Sequence, residues 1–211
     1  MANDDVQTLV AVVRTELPGD GPAWPGGWPD QIEAALIDAV RSIRAAYGRE
    51  HNGVRGAVGQ WRAHRGSDRT DDLTVLAETD PAVLTGIVGK QRLSGGASKA
   101  EAIVEAARNL SKLGVRHAAD VDPDSTGQKL AYTDVVGLGD VTWEHFLMLL
   151  GRQGVKADVW INRFVHRALR RTPSSAESRD LVKAAAAELR VDATAIDYAI
   201  WSHARIGMVE R

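Results

Sequence analysis

The fold is decided by two adjoining stretches of this 211-residue chain, VVGLGDVTWEHFLMLLG at residues 135–151 and VKADVWINRFV at residues 155–165. In each stretch a turn or capping signal precedes apolar residues that recur at helical spacing. A Gly-x-Gly turn, Gly137 to Gly139, stands before the first run, and Asp158 stands before the second. The sequence therefore predicts two helices whose starts are marked locally.

The same period, near 3.6 residues, recurs along the rest of the chain, whereas strict alternation of apolar and polar residues is rare. This pattern predicts an all-α fold. Starts of further helices are predicted at Asp5, Asp30, Asp80, Ser98 and Ser174. Ser98 and Ser174 each have a glutamate three residues later, which is the pattern of a capping box. The helix after Asp30 is predicted to continue to Tyr47 and to end at Gly48.

A segment rich in proline and glycine, residues 17–29, interrupts the helical pattern after the first helix. No helix or strand interior tolerates such a composition. We interpret it as a crossing between two helical lobes with a cleft between them, and Trp24 and Trp28 favour a segment packed on the surface. The predicted lobes are residues 30–150, ending in the glycine turn and the helix that follows it, and residues 1–29 together with 151–211.

Composition limits the chemistry available to this chain. It has no cysteine, which excludes disulfides, thiolate zinc sites and cysteine-held iron–sulfur clusters. Its six histidines show no metal-ligand spacing, so we expect neither a metal nor another cofactor. The first residues are polar and acidic, and no run approaches ~20 apolar residues. We therefore expect a soluble, cytoplasmic monomer without membrane contact.

Charge is distributed unevenly although the formal net charge is only −2. Residues 151–183 contain eight Lys and Arg against three acidic residues, and the segment from Lys90 to Lys99 adds three basic residues without an acid. Binding to nucleic acid would therefore have to use local basic surfaces rather than the charge of the whole protein.

The glycine turn and the spaced aspartate resemble the signature of the helix-hairpin-helix DNA glycosylases, the superfamily of endonuclease III. In that family an apolar-Gly-x-Gly hairpin joins two short helices, and an aspartate further on opens a helix with an arginine five positions later. The matching residues are Gly137, Gly139, Asp158 and Arg163. The capping box at Ser98 matches a helix start that the family has upstream of the hairpin.

The resemblance implies a base-excision repair enzyme that acts on double-stranded DNA, with Asp158 as its catalytic carboxylate. Backbone N–H groups of a Gly-x-Gly hairpin before a helix suit one DNA phosphate. A carboxylate stabilises the oxocarbenium-like sugar formed when the glycosidic bond breaks. The implied DNA-backbone residues are Gly137, Leu138, Gly139, Val141, Thr142, Lys156 and Arg163. The candidates for the base pocket or the wedge are Trp160, Trp143 and Arg44.

The sequence departs from the family pattern at several positions. Bifunctional members have a lysine where Val141 stands, so the resemblance implies a monofunctional enzyme that hydrolyses the bond. Members similar to endonuclease III hold an iron–sulfur cluster with four cysteines, which this chain lacks. Trp160 stands where a polar residue often follows the catalytic aspartate.

Simpler interpretations account for each of these features. The glycines would also suit a plain turn between helices that requires positive φ at both positions. Asp158 would also suit a purely structural N-cap, and tryptophans at helical spacing are usually core residues. The alternatives are therefore a non-catalytic helix-hairpin-helix DNA-binding protein and an unrelated helical interaction protein.

Overall fold

The computed structural model describes residues 3–17, 24, 26–45 and 52–209. Every regular secondary-structure element in that part of the chain is a helix. Backbone pairing of the β type occurs there only as an isolated bridge between Arg92 and Ser98. The predicted all-α fold is confirmed. None of the helices among these residues combines the length and hydropathy that a membrane span requires.

The chain divides into two compact units, which we call the terminal unit, Met1–Pro25 with Gln153–Arg211, and the central unit, Gly26–Arg152. Four helices form the described part of the terminal unit: α1 (Asn3–Glu16), α9 (Val159–Leu169), α10 (Ser175–Leu189) and α11 (Ala193–Val209). Their apolar faces share one core, in which Leu9, Val165, Leu181 and Val182 have no exposed surface.

The central unit surrounds one buried helix. Its helices are α2 (Ile32–Arg41), α3 (Gly53–Arg65), α4 (Leu73–Glu78), α5 (Pro81–Val88), α6 (Lys99–Lys112), α7 (Thr126–Thr133) and α8 (Asp140–Leu149), with a short 3-10 helix at Ala118–Asp120. Helix α2 packs against α3, α4, α6 and α8, and all ten of its residues are buried. A helix enclosed on all sides has no solvent face, so the polar residues of α2 are buried together with its apolar ones.

The ends of α2 also differ from the prediction. Asp30 has a positive φ of 56° and precedes the N-cap, which is Gln31 and provides no side-chain capping hydrogen bond to the helix. The helix ends at Arg41, and the predicted end at Tyr47 and Gly48 lies outside the described residues.

Buried polar groups on α2 have specific partners. The Glu33 carboxylate is fully buried and accepts hydrogen bonds from Trp61 Nε1 at 2.9 Å, Arg65 Nε at 3.0 Å and the Asp72 N–H at 3.0 Å. These bonds compensate for removing the carboxylate from water. They also connect α2 to α3 and to the start of α4, a six-residue helix that the sequence analysis did not find.

Local capping signals mark several helix starts correctly. The Asp80 side chain accepts a bond from the Ala82 N–H with Pro81 in the first turn of α5, and Ser98 and Glu101 form the predicted capping box of α6. Ser174 caps α10, but Glu177 does not complete the predicted capping box. Its carboxylate instead accepts a hydrogen bond from Arg171 at 2.6 Å. A charged partner provides a stronger bond than the backbone N–H of a capping box.

The proline- and glycine-rich segment is described only at residues 17, 24 and 26–29. There, Trp24 packs edge-on against Tyr198 within the terminal unit, with ring centroids 5.5 Å apart. Trp28 packs within the central unit, where its Nε1 donates to Asp38 at 2.8 Å and its N–H donates to Leu149 O at 2.6 Å. Both tryptophans are therefore packed, as predicted.

Candidate nucleic-acid interface and carboxylate pair

The two glycines of the Gly137–Gly139 turn have different backbone requirements. Gly137 has a φ of +89°, and a Cβ there would lie 2.8 Å from Leu93 Cβ. Gly139 is extended, with a φ of −165°, and a Cβ there would meet no atom within 4 Å. The expectation of positive φ at both glycines is wrong. Only Gly137 is required by the backbone, because a side chain at position 139 would be free of steric conflict.

Hydrogen bonding within the turn changes the predicted phosphate site. The Leu138 N–H donates to Val135 O at 3.0 Å, and the Gly139 N–H donates to Thr142 Oγ1 at 2.9 Å. The prediction that the N–H groups of Leu138 and Gly139 are free to bind a phosphate is therefore wrong. Both groups instead hold the turn and the N-terminus of α8 together. The next two N–H groups, those of Asp140 and Val141, have no acceptor among the described residues.

A second loop lies against the turn. Leu93 contacts Gly137, and Gly95 lies so close to the Val136 side chain that a Cβ at position 95 would overlap it. We call residues 89–96 and 136–141 the glycine-turn surface. Lys90 and Arg92 are exposed on it. At its other side Lys129 Nζ lies 2.8 Å from Asp140 Oδ1 and offsets that carboxylate's charge.

Two other predicted residues of the central unit lie in different surroundings. Trp143 is 1% exposed and packs against Tyr132 and Phe146, so it is a core residue and wrong as a wedge candidate. The physical reason is that α8 turns this face toward the unit's own core. Arg44 is exposed in the turn after α2, with a φ of 49°.

In the terminal unit, Asp158 is the N-cap of α9. Its Oδ1 accepts hydrogen bonds from the N–H groups of Trp160 at 2.8 Å and Ile161 at 3.3 Å. Its Oδ2 accepts no hydrogen bond from the described residues, and the side chain is partly exposed. One carboxylate oxygen therefore anchors the helix while the other remains available for a ligand or a water molecule.

A second carboxyl group, which the sequence did not indicate, lies close enough to Asp158 for their charges to interact. Asp197 on α11 is 7% exposed, and its Oδ1 accepts the Lys156 N–H at 2.9 Å. Burial, together with the negative charge of Asp158, raises the pKa of Asp197 to about 8, while Lys156 acts in the opposite direction. The sequence signal that could have identified Asp197 is that it is a lone acidic residue between Ile196 and Ile200 on an apolar helix face.

Hydrogen bonds across the segment before α9 explain how these groups are held together. The Gly154 N–H donates to Thr194 Oγ1 at 3.1 Å, and the Lys156 N–H donates to Asp197. Helix α11 therefore positions residues 154–156, which lead directly into the Asp158 cap. This places Lys156 in the carboxylate site by its backbone, a role that the sequence did not indicate.

Several basic residues of the terminal unit are paired with acids. Both Nη atoms of Arg167 donate hydrogen bonds to the Glu16 carboxylate. Arg171 Nη2 lies 2.7 Å from Asp5 Oδ2 and 2.6 Å from Glu177 Oε1. Arg163 is exposed and has no ion-pair partner among the described residues, and its guanidinium lies 5.3 Å from the centre of the half-buried Trp160 ring. The basic surface predicted for residues 151–183 is therefore smaller than the sequence count indicates.

With this geometry in place, comparison with known protein families gives one assignment. A family described as a domain of unknown function, DUF8548, matches residues 7–205. The chain belongs to this family. No curated protein matches the DUF8548 chain.

The buried acid of this DUF8548 member predicts a dependence of stability on pH. The folded-state pKa of Asp197 is raised above its ordinary value, so the folded protein holds a proton that the unfolded chain releases. The stabilisation is complete below the ordinary pKa, ~3.9, and is lost as the pH rises through the folded-state value of about 8. We expect the free energy of unfolding to fall between pH 5 and pH 8.

Denaturant titrations of wild type and Asp197→Asn at both pH values measure this effect. The variant should lack the loss, so its stability relative to wild type should improve by at least about 1 kcal/mol from pH 5 to pH 8. Asp192→Asn is the matched control. Asp192 is an exposed aspartate just before the start of α11, the helix that carries Asp197. An equal pH dependence in wild type and Asp197→Asn would contradict a buried, protonated Asp197.

Proposed function

We propose that this protein is a monofunctional DNA glycosylase that hydrolyses the N-glycosidic bond of a damaged or modified base in duplex DNA. The observation that carries this proposal is the carboxyl pair in the terminal unit: Asp158 with a free oxygen at a helix N-terminus, beside the buried Asp197. A carboxylate with a free oxygen at a helix N-terminus suits stabilisation of a cationic sugar.

In the proposed reaction the target nucleotide leaves the base stack before its bond is broken. The bond between C1′ and the base nitrogen breaks, and its electron pair leaves with the base. Asp158 stabilises the positive charge that develops on the sugar and accepts a proton from the attacking water, whose oxygen bonds to C1′. Val141 offers no amine for a Schiff base, so hydrolysis is the expected outcome.

DNA binding is assigned in this proposal to the glycine-turn surface. The N–H groups of Asp140 and Val141 open α8 and suit a phosphate oxygen, as helix N-termini generally do. Lys90 and Arg92 on the adjoining loop add positive charge. Trp160, with the Arg163 guanidinium over its ring, is the proposed contact for the extruded base. Such contacts predict binding that weakens steeply with salt.

A second candidate is a DNA-binding protein without catalytic activity. It is favoured by the two hydrogen bonds to Asp158 Oδ1, because capping α9 is sufficient to explain an aspartate at this position. Excision assays distinguish the candidates. We expect the wild-type protein to release a base from at least one duplex in a panel of alkylated, oxidised, deaminated and mismatched bases. Salt-sensitive binding without release would favour the second candidate.

The glycine-turn surface is tested by Gly139→Asp. Since a side chain at position 139 has open space, the variant should keep its fold while adding a negative charge beside the N-terminus of α8. We expect duplex affinity to fall by about tenfold, which corresponds to the loss of one charge-assisted contact. Fluorescence anisotropy at several salt concentrations measures it.

Gly139→Asn is the matched control, since it has nearly the same shape without the charge. We expect it to bind like wild type. If Gly139→Asp also binds like wild type, this surface does not contact the DNA backbone.

A further inference from the structure

An arginine buried in the central unit has two guanidinium nitrogens without an acceptor among the described residues. Arg41, the last residue of α2, is 5% exposed. Its Nε and Nη1 atoms are enclosed and have no hydrogen-bond acceptor among the described residues. A buried guanidinium normally has a carboxylate or several carbonyl groups around it, because an uncompensated buried charge is unfavourable.

A second cation lies next to it. Lys99, the first residue of α6, is 2% exposed, and its Nζ donates to Arg41 O at 2.9 Å and to Ile43 O at 2.6 Å. Lys99 was counted from the sequence among the basic residues of the segment from Lys90 to Lys99. Its burial removes it from any solvent-facing basic surface. Burial first, and then the charge of Arg41, lower the pKa of Lys99 to about 8.

The turn after α5 lies against this cationic site. Gly89 has a φ of +92°, and a Cβ there would lie 3.8 Å from Arg41 Nη2 and 3.3 Å from Gln91 Oε1. The third guanidinium nitrogen thus lies beside a turn whose next residues, Lys90 and Gln91, are exposed. The same loop continues to Leu93, which contacts the glycine turn.

We propose that Arg41, with Lys99 beside it, binds a phosphate-type oxyanion at the Gly89–Gln91 turn. Guanidinium donors match the geometry of phosphate oxygens, and an oxyanion would supply an acceptor that the described residues do not give to Nε and Nη1. The oxyanion is either a phosphate of the DNA backbone, on the loop that adjoins the glycine turn, or a free phosphate group. The site stands on its own contacts and does not require glycosylase activity.

The test is the binding of inorganic phosphate to the full-length protein, measured by calorimetry and by the thermal midpoint at constant ionic strength in sodium chloride. We expect wild type to bind phosphate and its midpoint to rise. Arg41→Met keeps an unbranched apolar stem and removes the guanidinium with its charge, and it should weaken phosphate binding by at least about tenfold. It should be at least as stable as wild type without phosphate, because it removes a buried charge that has no acceptor for Nε and Nη1 among the described residues.

Arg108→Met is the matched control, because Arg108 is an exposed arginine of α6 in the same unit, and it should bind phosphate like wild type. Arg41→Lys, which keeps the charge but not the fork of donors, should bind phosphate more weakly than wild type and provides a second variant. No phosphate binding by wild type, or undiminished binding by Arg41→Met, would overturn the proposal.

Duplex binding by the same variants identifies the source of the oxyanion. If Arg41→Met also loses duplex affinity, the ligand is a DNA phosphate. If it loses only phosphate binding, the ligand is a free phosphate group. The Gly139→Asp variant and the excision panel test the DNA proposal by themselves, because neither experiment involves free phosphate. Its failure can therefore be distinguished from failure of the phosphate site.

Discussion

Replacing Asp158 with Asn is expected to lower the single-turnover rate of base excision by about 10²–10³-fold while duplex affinity stays unchanged. Asparagine is as good an N-cap as aspartate, so its side-chain oxygen can still accept the N–H groups of Trp160 and Ile161. The substitution therefore keeps the start of α9 and removes only the negative charge. Quenched single-turnover assays on the best substrate from the panel give the rate, and anisotropy gives the affinity.

A matched control for this prediction exists in the central unit. Asp80 is also an N-cap aspartate, with its Oδ1 accepting the Ala82 N–H at 2.7 Å. Asp80→Asn should excise at the wild-type rate. If Asp158→Asn excises as fast as wild type, Asp158 is only a structural cap, and the catalytic group must lie elsewhere.

Truncating Trp143 to Ala is expected to lower the free energy of unfolding by about 3–5 kcal/mol. The ring is 1% exposed, and its centroid lies 5.4 Å from that of Tyr132 and 5.7 Å from that of Phe146. Removing it leaves a cavity among aromatic side chains that the surrounding helices fill only in part. Urea denaturation followed by circular dichroism measures the loss.

Trp160→Ala provides the comparison, because Trp160 is half-buried and stacks with an exposed arginine. We expect it to cost about 0.5–1 kcal/mol in stability, the usual strength of an exposed cation–π contact. Its larger effect should be on duplex binding. A small and equal loss for both tryptophans would mean that Trp143 is not the core residue described above.

Local sequence signals identified much of the helical framework. Asp80 followed by Pro81, the Ser98 capping box and Asp158 each mark a helix start that the structure has. They succeed because a cap satisfies backbone donors within three residues of itself. Helix α4 was missed because its six residues are too few to display a period.

The candidate site was less accessible to sequence reasoning. Asp158 stood out by its spacing from the glycine turn, but Asp197 did not, because its proximity to Asp158 depends on the packing of α11. The basic count for residues 151–183 was misleading for the same reason. Arg167 and Arg171 pair with Glu16 and Asp5, which are more than 150 positions away in the chain.

What the sequence determined by itself is the all-α class and most of the helix starts, because each depends on residues within a turn or two. The tertiary structure alone decided which charges are available for chemistry or binding. It buried Lys99 and Asp197, paired Arg171 with two acids and left Arg41 without an acceptor among the described residues. The physical reason is that the energy of a charge depends on its solvation and its neighbours, and long-range packing sets both.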